Sequence, residues 1–577
     1  MRRVVAPAPL ENVLNAIAGS VVDRIWLKSY PEGVPAEINP DSFGSINDVF
    51  DQACRKYANL PGFTCMGRTL TYADLDKLAL AFAAYLQGTL KLAKGERVAV
   101  MMPNILQYPV AVFGILRAGL TVVNCNPLYT PRELEHQLAD SGAMAIIVVE
   151  NFAHTLEQVV AKTQIKQIIT TQLGDLLGFP KSMLVNYVVK RKRKLVPAWN
   201  LPGSISLKAA LAKGRSNRFD APKLESNDLA FLQYTGGTTG VSKGAMLSHR
   251  NLVANMEQVG GWTAGRLEEG REVVIQPLPL YHIFALSSSL VFMKHGCENV
   301  LIPNPRDITG FIKELSSRRW NVLTGVNTLF NSLLHAPGFD KIDFSGMKLA
   351  LGGGMAVQRA VAEKWQAVTG KPLIEAYGLT ETSPGACINP MTLENYNGCI
   401  GLPISSTVMT IRDDDENILP IGQAGEICIQ GPQVMLGYWQ RPEETAKVTT
   451  RDGAFKSGDI GVMDERGFFK IVDRKKDMIL VSGFNVYPNE IEDVIAACPG
   501  VLEVCAVAAA DEKSGEVVRV VVVKKDPALT KEKVMAHCKA NLTGYKLPRI
   551  IEFWDELPKT NVGKVLRREV KNMPVRT

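Results

Sequence analysis

Short apolar runs alternate with stretches in which apolar residues recur every three or four positions. Val98 to Met102, Thr121 to Asn124 and Ala145 to Val149 are such runs. Runs of this length between helical patterns predict buried parallel strands. Ahead of the first, Leu75, Leu78, Phe82 and Leu86 share one helical face, and Thr71 with Asp74 forms a capping-box pattern at its start. The most apolar stretch, Tyr108 to Val123, contains Arg117 and Gly119. It falls short of the roughly 20 apolar residues that cross a bilayer, so it is expected in an α/β core.

The pattern changes near residue 474. Asp473-Arg-Lys-Lys-Asp477 has little to bury. Beyond it, Ile491, Val494, Ile495 and Cys498 make a helix face that ends at Pro499-Gly500, and Val517 to Val523 reads as a strand. The expected division is a large domain over 1–473, a linker at 474–476 and a small domain over 477–577.

Composition narrows this picture only slightly. A chain of 577 residues is too long for one ordinary domain, and 46% hydrophobic with 21% charged residues suits a large core rather than disorder. A formal charge of +7 over this length gives no reason to expect nucleic acid as a partner. The ten cysteines form no CxxC pair and read as reduced core thiols. Pro7, Pro9 and Glu11 interrupt the start, so no cleaved signal peptide is expected, and the predicted location is cytoplasmic.

The densest candidate chemistry follows the apolar run Leu229 to Leu232. Tyr234, Thr235, Gly236, Gly237, Thr238, Thr239, Gly240, Val241, Ser242, Lys243, Gly244 and Ala245 bring together glycines, hydroxyls and a lysine. Glycines admit an anion to backbone N–H groups, hydroxyls donate to it and lysine supplies charge. This is a phosphate-gripping loop, but not the GxxxxGK[ST] type, because Gly244 follows Lys243.

The loop resembles the signature of the adenylate-forming enzymes: acyl-CoA ligases, luciferases and the adenylation domains of peptide synthetases. Further family motifs follow in order. They are Pro277-Leu-Pro-Leu-Tyr281-His282, Gly352-Gly-Gly354, Glu375-Ala-Tyr-Gly-Leu-Thr-Glu381, Lys456-Ser-Gly-Asp459, Val472-Asp-Arg474, Val481-Ser-Gly483-Phe484 and Leu557-Pro-Lys-Thr-Asn-Val-Gly-Lys564. The likeness runs from about residue 45 to the C-terminus and is strongest to bacterial long-chain fatty acid–CoA ligases. It implies an α/β fold with a large, multi-subdomain N-terminal domain of stacked sheets and helices and a small mobile α+β C-terminal domain. It also implies an ATP-dependent ligase in which a fatty acid carboxylate attacks the α-phosphate and the acyl group then passes to CoA.

The resemblance also assigns roles. Glu381 corresponds to the Mg²⁺ ligand, and Thr380, Thr235 and Lys243 join it around the phosphates. Gly352, Gly353, Gly354, Ala376, Tyr377 and Gly378 correspond to the adenine pocket, with Tyr377 a stacking candidate. Asp459 corresponds to the ribose carboxylate and Arg474 to a second ribose and phosphate contact. Lys564 bridges carboxylate and α-phosphate during adenylation. Lys476 matches a hinge about which the small domain turns, exchanging Lys564 for the Ser482, Gly483 and Phe484 segment and opening a CoA channel. His282 matches a gate beside the acyl and thiol paths. Val326, Asn327 and Thr328 are expected along the acyl pocket, and glycine at 378, where the acetate-specific branch has tryptophan, leaves room for a chain.

One segment lies outside these motifs. Leu176 to Val189 is apolar and aromatic and runs into Lys190-Arg-Lys-Arg-Lys194. That combination suits an anionic membrane surface, and its bland alternative is a core helix beside a solvated charge run. Similar ligases collect substrate at the inner face of the cell membrane, so peripheral contact is expected, and a homodimer stays open. The rival readings are a medium-chain or aryl acid–CoA ligase, a fatty acyl-AMP ligase, a remote luciferase-like oxygenase, and a non-catalytic lipid-binding or uptake protein.

Overall fold

The early apolar runs become the middle of a parallel sheet in the computed structural model, which describes residues 24–235, 242–481, 484–511, 514–560 and 563–575. Strand β1 (Arg97–Met101) pairs in parallel with β2 (Thr121–Cys125) and with β3 (Ala145–Val149). Every residue of β2 and β3 is buried, as expected for strands covered on both faces. Helix α1 (Tyr72–Ala84) begins at the Thr71–Asp74 capping box, with both reciprocal hydrogen bonds formed, and Leu86 falls in the wider turn after it. The Tyr108 to Val123 stretch supplies α2 (Gln107–Arg117), the crossover between β1 and β2, and most of β2 itself. The sheet closes with β4 (Leu229–Thr235), parallel to β2, and β5 (Lys243–Ser248), antiparallel to β4.

A second sheet has nine strands, from Leu402–Pro403 at one edge to Arg68–Thr71 at the other. Helices α3 (His249–Thr263) and α4 (Ile283–Lys294) join the two sheets. Leu252, Met256, Leu286 and Leu290 share a core with β1 and β2, while Trp262 and Phe292 share one with Leu349, Leu351 and Ile374 of the second sheet. Helix α5 (Asn327–Leu334) precedes β6 (Leu349–Gly353), an interior strand of the second sheet. Parallel to β6 runs β7 (Leu373–Gly378), and antiparallel to β7 runs β8 (Gly385–Ile388). A four-stranded antiparallel sheet contains β9 (Phe455–Met463) and β10 (Phe469–Arg474), and its Met409, Ile427 and Phe469 join the core of the second sheet.

Arg474 ends β10, and Lys475 and Lys476 follow it before the next strand, Ile479–Val481. From there the chain forms a smaller unit with cores of its own. Its helix α6 (Pro488–Ala496) buries Ile491 and Ile495, and Cys498 is buried just past the helix, before Gly500 at φ 93°. The hairpin of β11 (Val501–Asp511) and β12 (Gly515–Lys524) dominates its sheet, and α7 (Arg567–Asn572) ends the described chain. The architecture is thus an α/β large domain with a smaller C-terminal one.

All ten cysteines are free and nine are buried, as expected of core thiols. No helix among the described residues is long and apolar enough to cross a membrane. The Leu176 to Lys194 segment departs from the core-helix alternative. Its helix Lys181–Tyr187 buries Ser182 alone, while Phe179 is 85% exposed, Met183 66% and Tyr187 61%. Lys190 is not a free cation, because it pairs with Glu150 at 3.1 Å.

Candidate active site

Four parts of the fold converge on one cavity of about 1750 Å³ between the two domains. Its polar end is built by strand register. Asp459 on β9 stands opposite Arg474 on β10 in the antiparallel ladder, and Arg474 Nε lies 2.7 Å from Asp459 Oδ1. The phenol of Tyr377, on β7, donates to the other carboxylate oxygen at 2.7 Å. Asp459 is therefore a buried carboxylate held from both sides, and among the described residues these contacts leave a lone pair on each oxygen for a further donor. Tyr377 lines the cavity, but its hydroxyl is engaged with Asp459.

Glycines let β6 and β7 come close. A side chain at Gly353 would meet Ala376 O at 3.1 Å, and one at Gly352 would meet Val357 Cγ2 at 3.0 Å. Gly353, Gly354, Ala376, Tyr377 and Gly378 face the cavity, and Gly352 does not. At Gly378 a Cβ would sit 1.8 Å from the carbonyl oxygen of Pro384. This glycine is therefore required by the turn into β8.

After β7, Thr380 and Glu381 open a short 3-10 turn and both line the cavity. Tyr438 donates its hydroxyl to Glu381 Oε1 at 2.7 Å. Burial raises the Glu381 carboxyl above its ordinary range, against the lowering effect of that hydrogen bond. No ion pair to it forms among the described residues, and no cluster of three or more His, Cys, Asp or Glu appears there. A cation at Glu381 would have one protein carboxylate and would take its other ligands from phosphate and water, which fits Mg²⁺.

The phosphate-loop residues sit at the tip of the β4–β5 hairpin, where Thr235 pairs with Lys243 and Tyr234 with Gly244. Gly236, Gly237, Thr238, Thr239, Gly240 and Val241 lie outside the described residues, as do Ser482 and Gly483. Tyr234, Thr235 and Lys243 line the cavity, while Ser242, Gly244 and Ala245 stand behind it. Tyr234 is tied down by its hydroxyl donating to Asp140 Oδ2 at 2.7 Å. Lys243 Nζ lies 2.5 Å from Glu444 and 4.9 Å above the Tyr438 ring. Tyr438 and Glu444 were not foreseen from sequence. Residues 436–439 run alongside β5, with Trp439 N–H donating to Gly244 O, and this sets Tyr438 beside Ala245. Their place follows from this pairing with β5, which has no local signature in the sequence.

His282 caps α4, its Nδ1 accepting the Phe284 N–H at 3.3 Å. Burial, and then the charge of Lys564, push it down to about 4, so the imidazole is neutral at pH 7.

Lys564 enters from the C-terminal domain. Its loop is closed by Thr560 N–H donating to Lys564 O at 2.7 Å, and docked by Thr328 Oγ1 donating to Gly563 O at 2.8 Å. Burial, and then Arg474, lower its ammonium to about 8. Asn327 is tied to Gln358, so Asn327 and Thr328 form the cavity wall beneath the lysine loop, and Val326 lies behind them. Lys476 lines the cavity rim, and Phe484 is exposed on the small domain, stacked on Tyr545 at 5.0 Å, outside the cavity lining.

The other end of the cavity is apolar. Val259, Val291, Phe292, Leu349, Leu351, Ile388, Met391 and Ile400 line it. Asn255, Val259 and Thr263 recur every four residues along α3, giving roughly 12 Å of wall at 1.5 Å per residue. Asn255 marks the near end, since it brackets Gly385 with two hydrogen bonds next to Gly378. None of these residues stood out from sequence, because an apolar wall is spelled like a core.

Comparison with known proteins agrees with this geometry. Residues 50–439 match the AMP-binding enzyme family, and residues 490–564 match the AMP-binding enzyme C-terminal domain. A long-chain-fatty-acid–CoA ligase of Escherichia coli O157:H7 is 56% identical over 95% of this chain and 98% of its own length. One from Haemophilus influenzae is 51% identical over 96% and 98%. Among solved structures, ATP-bound MatB from Rhodopseudomonas palustris superposes with a TM-score of 0.78 at 28% identity, covering 91% of this chain and 98% of its own. The same protein without ligand gives 0.71 at the same identity and coverage.

Proposed function

The chain belongs to the AMP-binding enzyme family, and from that premise we propose that it is a long-chain fatty acid–CoA ligase, converting ATP, fatty acid and CoA to acyl-CoA, AMP and diphosphate. One observation carries the reading: a single cavity joins a polar end rich in nucleotide-binding chemistry to a long apolar arm. A non-catalytic lipid binder needs only the arm.

The obstacle to the first step is charge, because a carboxylate must approach a triphosphate. Positioning and electrostatics therefore supply most of the catalysis. The carboxylate oxygen forms a bond to the α-phosphorus, diphosphate leaves, and the product is a mixed anhydride. Asp459, steadied by Tyr377 and Arg474, accepts hydrogen bonds from the ribose hydroxyls through its free lone pairs. Lys564 is a cation below pH of about 8 and offsets charge where carboxylate and α-phosphate meet. Thr235, Lys243 and Thr380 hold the β- and γ-phosphates once phosphate draws Lys243 from Glu444. Glu381 would hold Mg²⁺ together with phosphate oxygens, and the ion would neutralise part of the triphosphate charge.

In the second step the CoA sulfur bonds to the acyl carbon, the thiol proton is lost and AMP leaves. The arrangement here suits the first step, with Lys564 inside and Phe484 outside. The better superposition on ATP-bound than on ligand-free MatB supports the same assignment. Turning the small domain about Lys476 would exchange the two for CoA transfer.

Peripheral membrane contact belongs to the same proposal. Exposed Phe179, Met183, Leu184 and Tyr187 beside Arg191 to Lys194 support binding to an anionic bilayer from which substrate is taken. The test of function is a substrate panel from acetate to long-chain and aromatic acids, read by AMP release with and without CoA. Preference for aromatic acids, or AMP-ester accumulation without thioester formation, overturns the long-chain CoA ligase reading.

A further inference from the structure

Asp473 is the last residue but one of β10, immediately before the 474–476 linker, and it is fully buried. Its Oδ2 accepts the backbone N–H of Asn489 at 2.8 Å. Asn489 is the second residue of α6, whose own N-cap residue, Tyr487, makes no side-chain capping bond. The first N–H groups of a helix have no partner within it and carry a partial positive charge. A carboxylate from the large domain thus caps a helix of the small one. The other oxygen, Oδ1, accepts its neighbour Arg474 N–H at 2.6 Å and Arg567 Nη1 at 3.3 Å.

Arg567 begins α7, three residues after Lys564. Its Nη2 and Nε bind Glu492 at 2.6 and 3.1 Å, Nη2 also donates to Asn489 Oδ1, and Asp477 lies 3.7 Å away. Glu492, Asn489 and Asp477 all belong to the small domain. Arg567 is therefore rigidly seated there and presents its remaining N–H across the junction to Asp473. Burial pushes the Asp473 carboxyl up to about 6 even with this guanidinium beside it. An uncompensated carboxylate in that place is costly.

We propose that Asp473 and Arg567 form a latch that holds the small domain in the adenylating orientation and must open before CoA transfer. The proposal rests on the two-step reading above. Rotation about the linker leaves Asp473 with the large domain and carries Asn489, Glu492 and Arg567 away together. Every contact the Arg567 guanidinium makes then survives except the one to Asp473, and α6 loses its cap. The contact energy therefore belongs to one orientation and biases the equilibrium between the two. Both are positioning residues, since neither touches reacting atoms.

The test measures two half-reactions separately: diphosphate release from ATP and fatty acid without CoA, and acyl-CoA formation from supplied acyl-AMP. Arg567→Gln and Asp473→Asn are each expected to slow the first about ten-fold or more and leave the second unchanged or faster. The Asn variant is isosteric and has no contact with the lysine loop, so it serves even where Arg567→Gln fails to fold. The double variant should be no slower than the worse single one, because each removes the same contact. Equal loss in both half-reactions, or no loss in either, overturns the latch. Lys564→Ala run alongside separates the two ideas. If it spares transfer while the latch variants do not, the latch fails and the two-orientation reading stands. If it too depresses both steps equally, the reading beneath the latch fails.

Discussion

At the nucleotide end of the cavity polar side chains are held by one another: Tyr377 and Arg474 on Asp459, Tyr438 on Glu381, Glu444 on Lys243. Along the acyl arm, Val259, Val291, Phe292, Leu351 and Ile400 make no directional contact. The difference is one of tolerance. A hydrogen-bonded site is held to geometry within a few tenths of an ångström, so few residue types serve at each position. An apolar wall needs only volume and shape, and many sequences provide them. Loss at the first end should stop the chemistry for every acid, whereas change along the second should alter which acid is used.

The sharpest break of that comparison is at Glu381. Glu381→Gln keeps the shape and the Tyr438 contact but removes the charge. Turnover should fall about 100-fold or more, the scale seen when a central electrostatic group is lost, and by the same factor for short and long acids. Added Mg²⁺ should restore little of it. Near-normal turnover at ordinary Mg²⁺ would show that the carboxylate holds no ion.

At the other end, Val259→Trp sets a large ring one helical turn beyond Asn255. Long-chain acids should lose on the order of ten- to thirty-fold in kcat/KM while six- to eight-carbon acids keep most of theirs, since overpacking acts where the chain must pass. Thr263→Trp, one turn deeper, should penalise only the longest chains. A uniform loss across chain lengths would mean that α3 does not line the acyl path.

This contrast also explains what the sequence made legible. Thr71 with Asp74 and β3 could be read because a capping box and a short apolar run are local signals. Of the motif residues, Thr380, Glu381, Asp459, Arg474 and Lys564 converge although they are spread over nearly two hundred positions. The resemblance of their motifs to those of the adenylate-forming enzymes marked them before any fold did. The apolar arm was hidden: the resemblance pointed to Val326 to Thr328, which stand beneath the lysine loop, while Val259 and Val291, which line the arm, are spelled like any core residue. Only the packing of α3 and α4 between two sheets decides which of these faces a void. Tyr438 was hidden for another reason: its role depends on a strand-like pairing with β5 that no local pattern announces.

Titration sharpens the comparison from within the polar end. Burial, and then Arg474, lower Lys564 to about 8 in the free enzyme. Its charge is present below that pH and lost as pH rises through it. Because kcat/KM reports ionisations of the free enzyme, the adenylation value for ATP should fall about ten-fold between pH 7.5 and 9. Transfer from supplied acyl-AMP should show no such limb, since Lys564 serves the first step alone. His282, already neutral above about 4, adds no limb in this range. A flat adenylation profile to pH 9 would indicate that the lysine stays charged or does not act.

The smallest effect on turnover is expected from the surface that touches neither arm. Lys190 is committed to Glu150, so the cations offered to a bilayer are Arg191, Lys192, Arg193 and Lys194, next to exposed Phe179, Met183, Leu184 and Tyr187. The two sets act by different physics. Each cation near an anionic surface contributes on the order of 1 kcal/mol, and the attraction fades beyond a Debye length of about 8 Å at physiological salt. The apolar side chains gain by leaving water, a term that salt does not screen. Replacing the four cations with Gln should therefore weaken co-sedimentation with anionic vesicles most at low salt. Replacing Phe179, Met183, Leu184 and Tyr187 with Ser should weaken it at every salt concentration. Both variants should keep wild-type turnover on detergent-solubilised fatty acid and lose only a few-fold when the acid is presented in vesicles. If both sediment as well as wild type, the exposed helix has another use, and the acid reaches the apolar arm from solution.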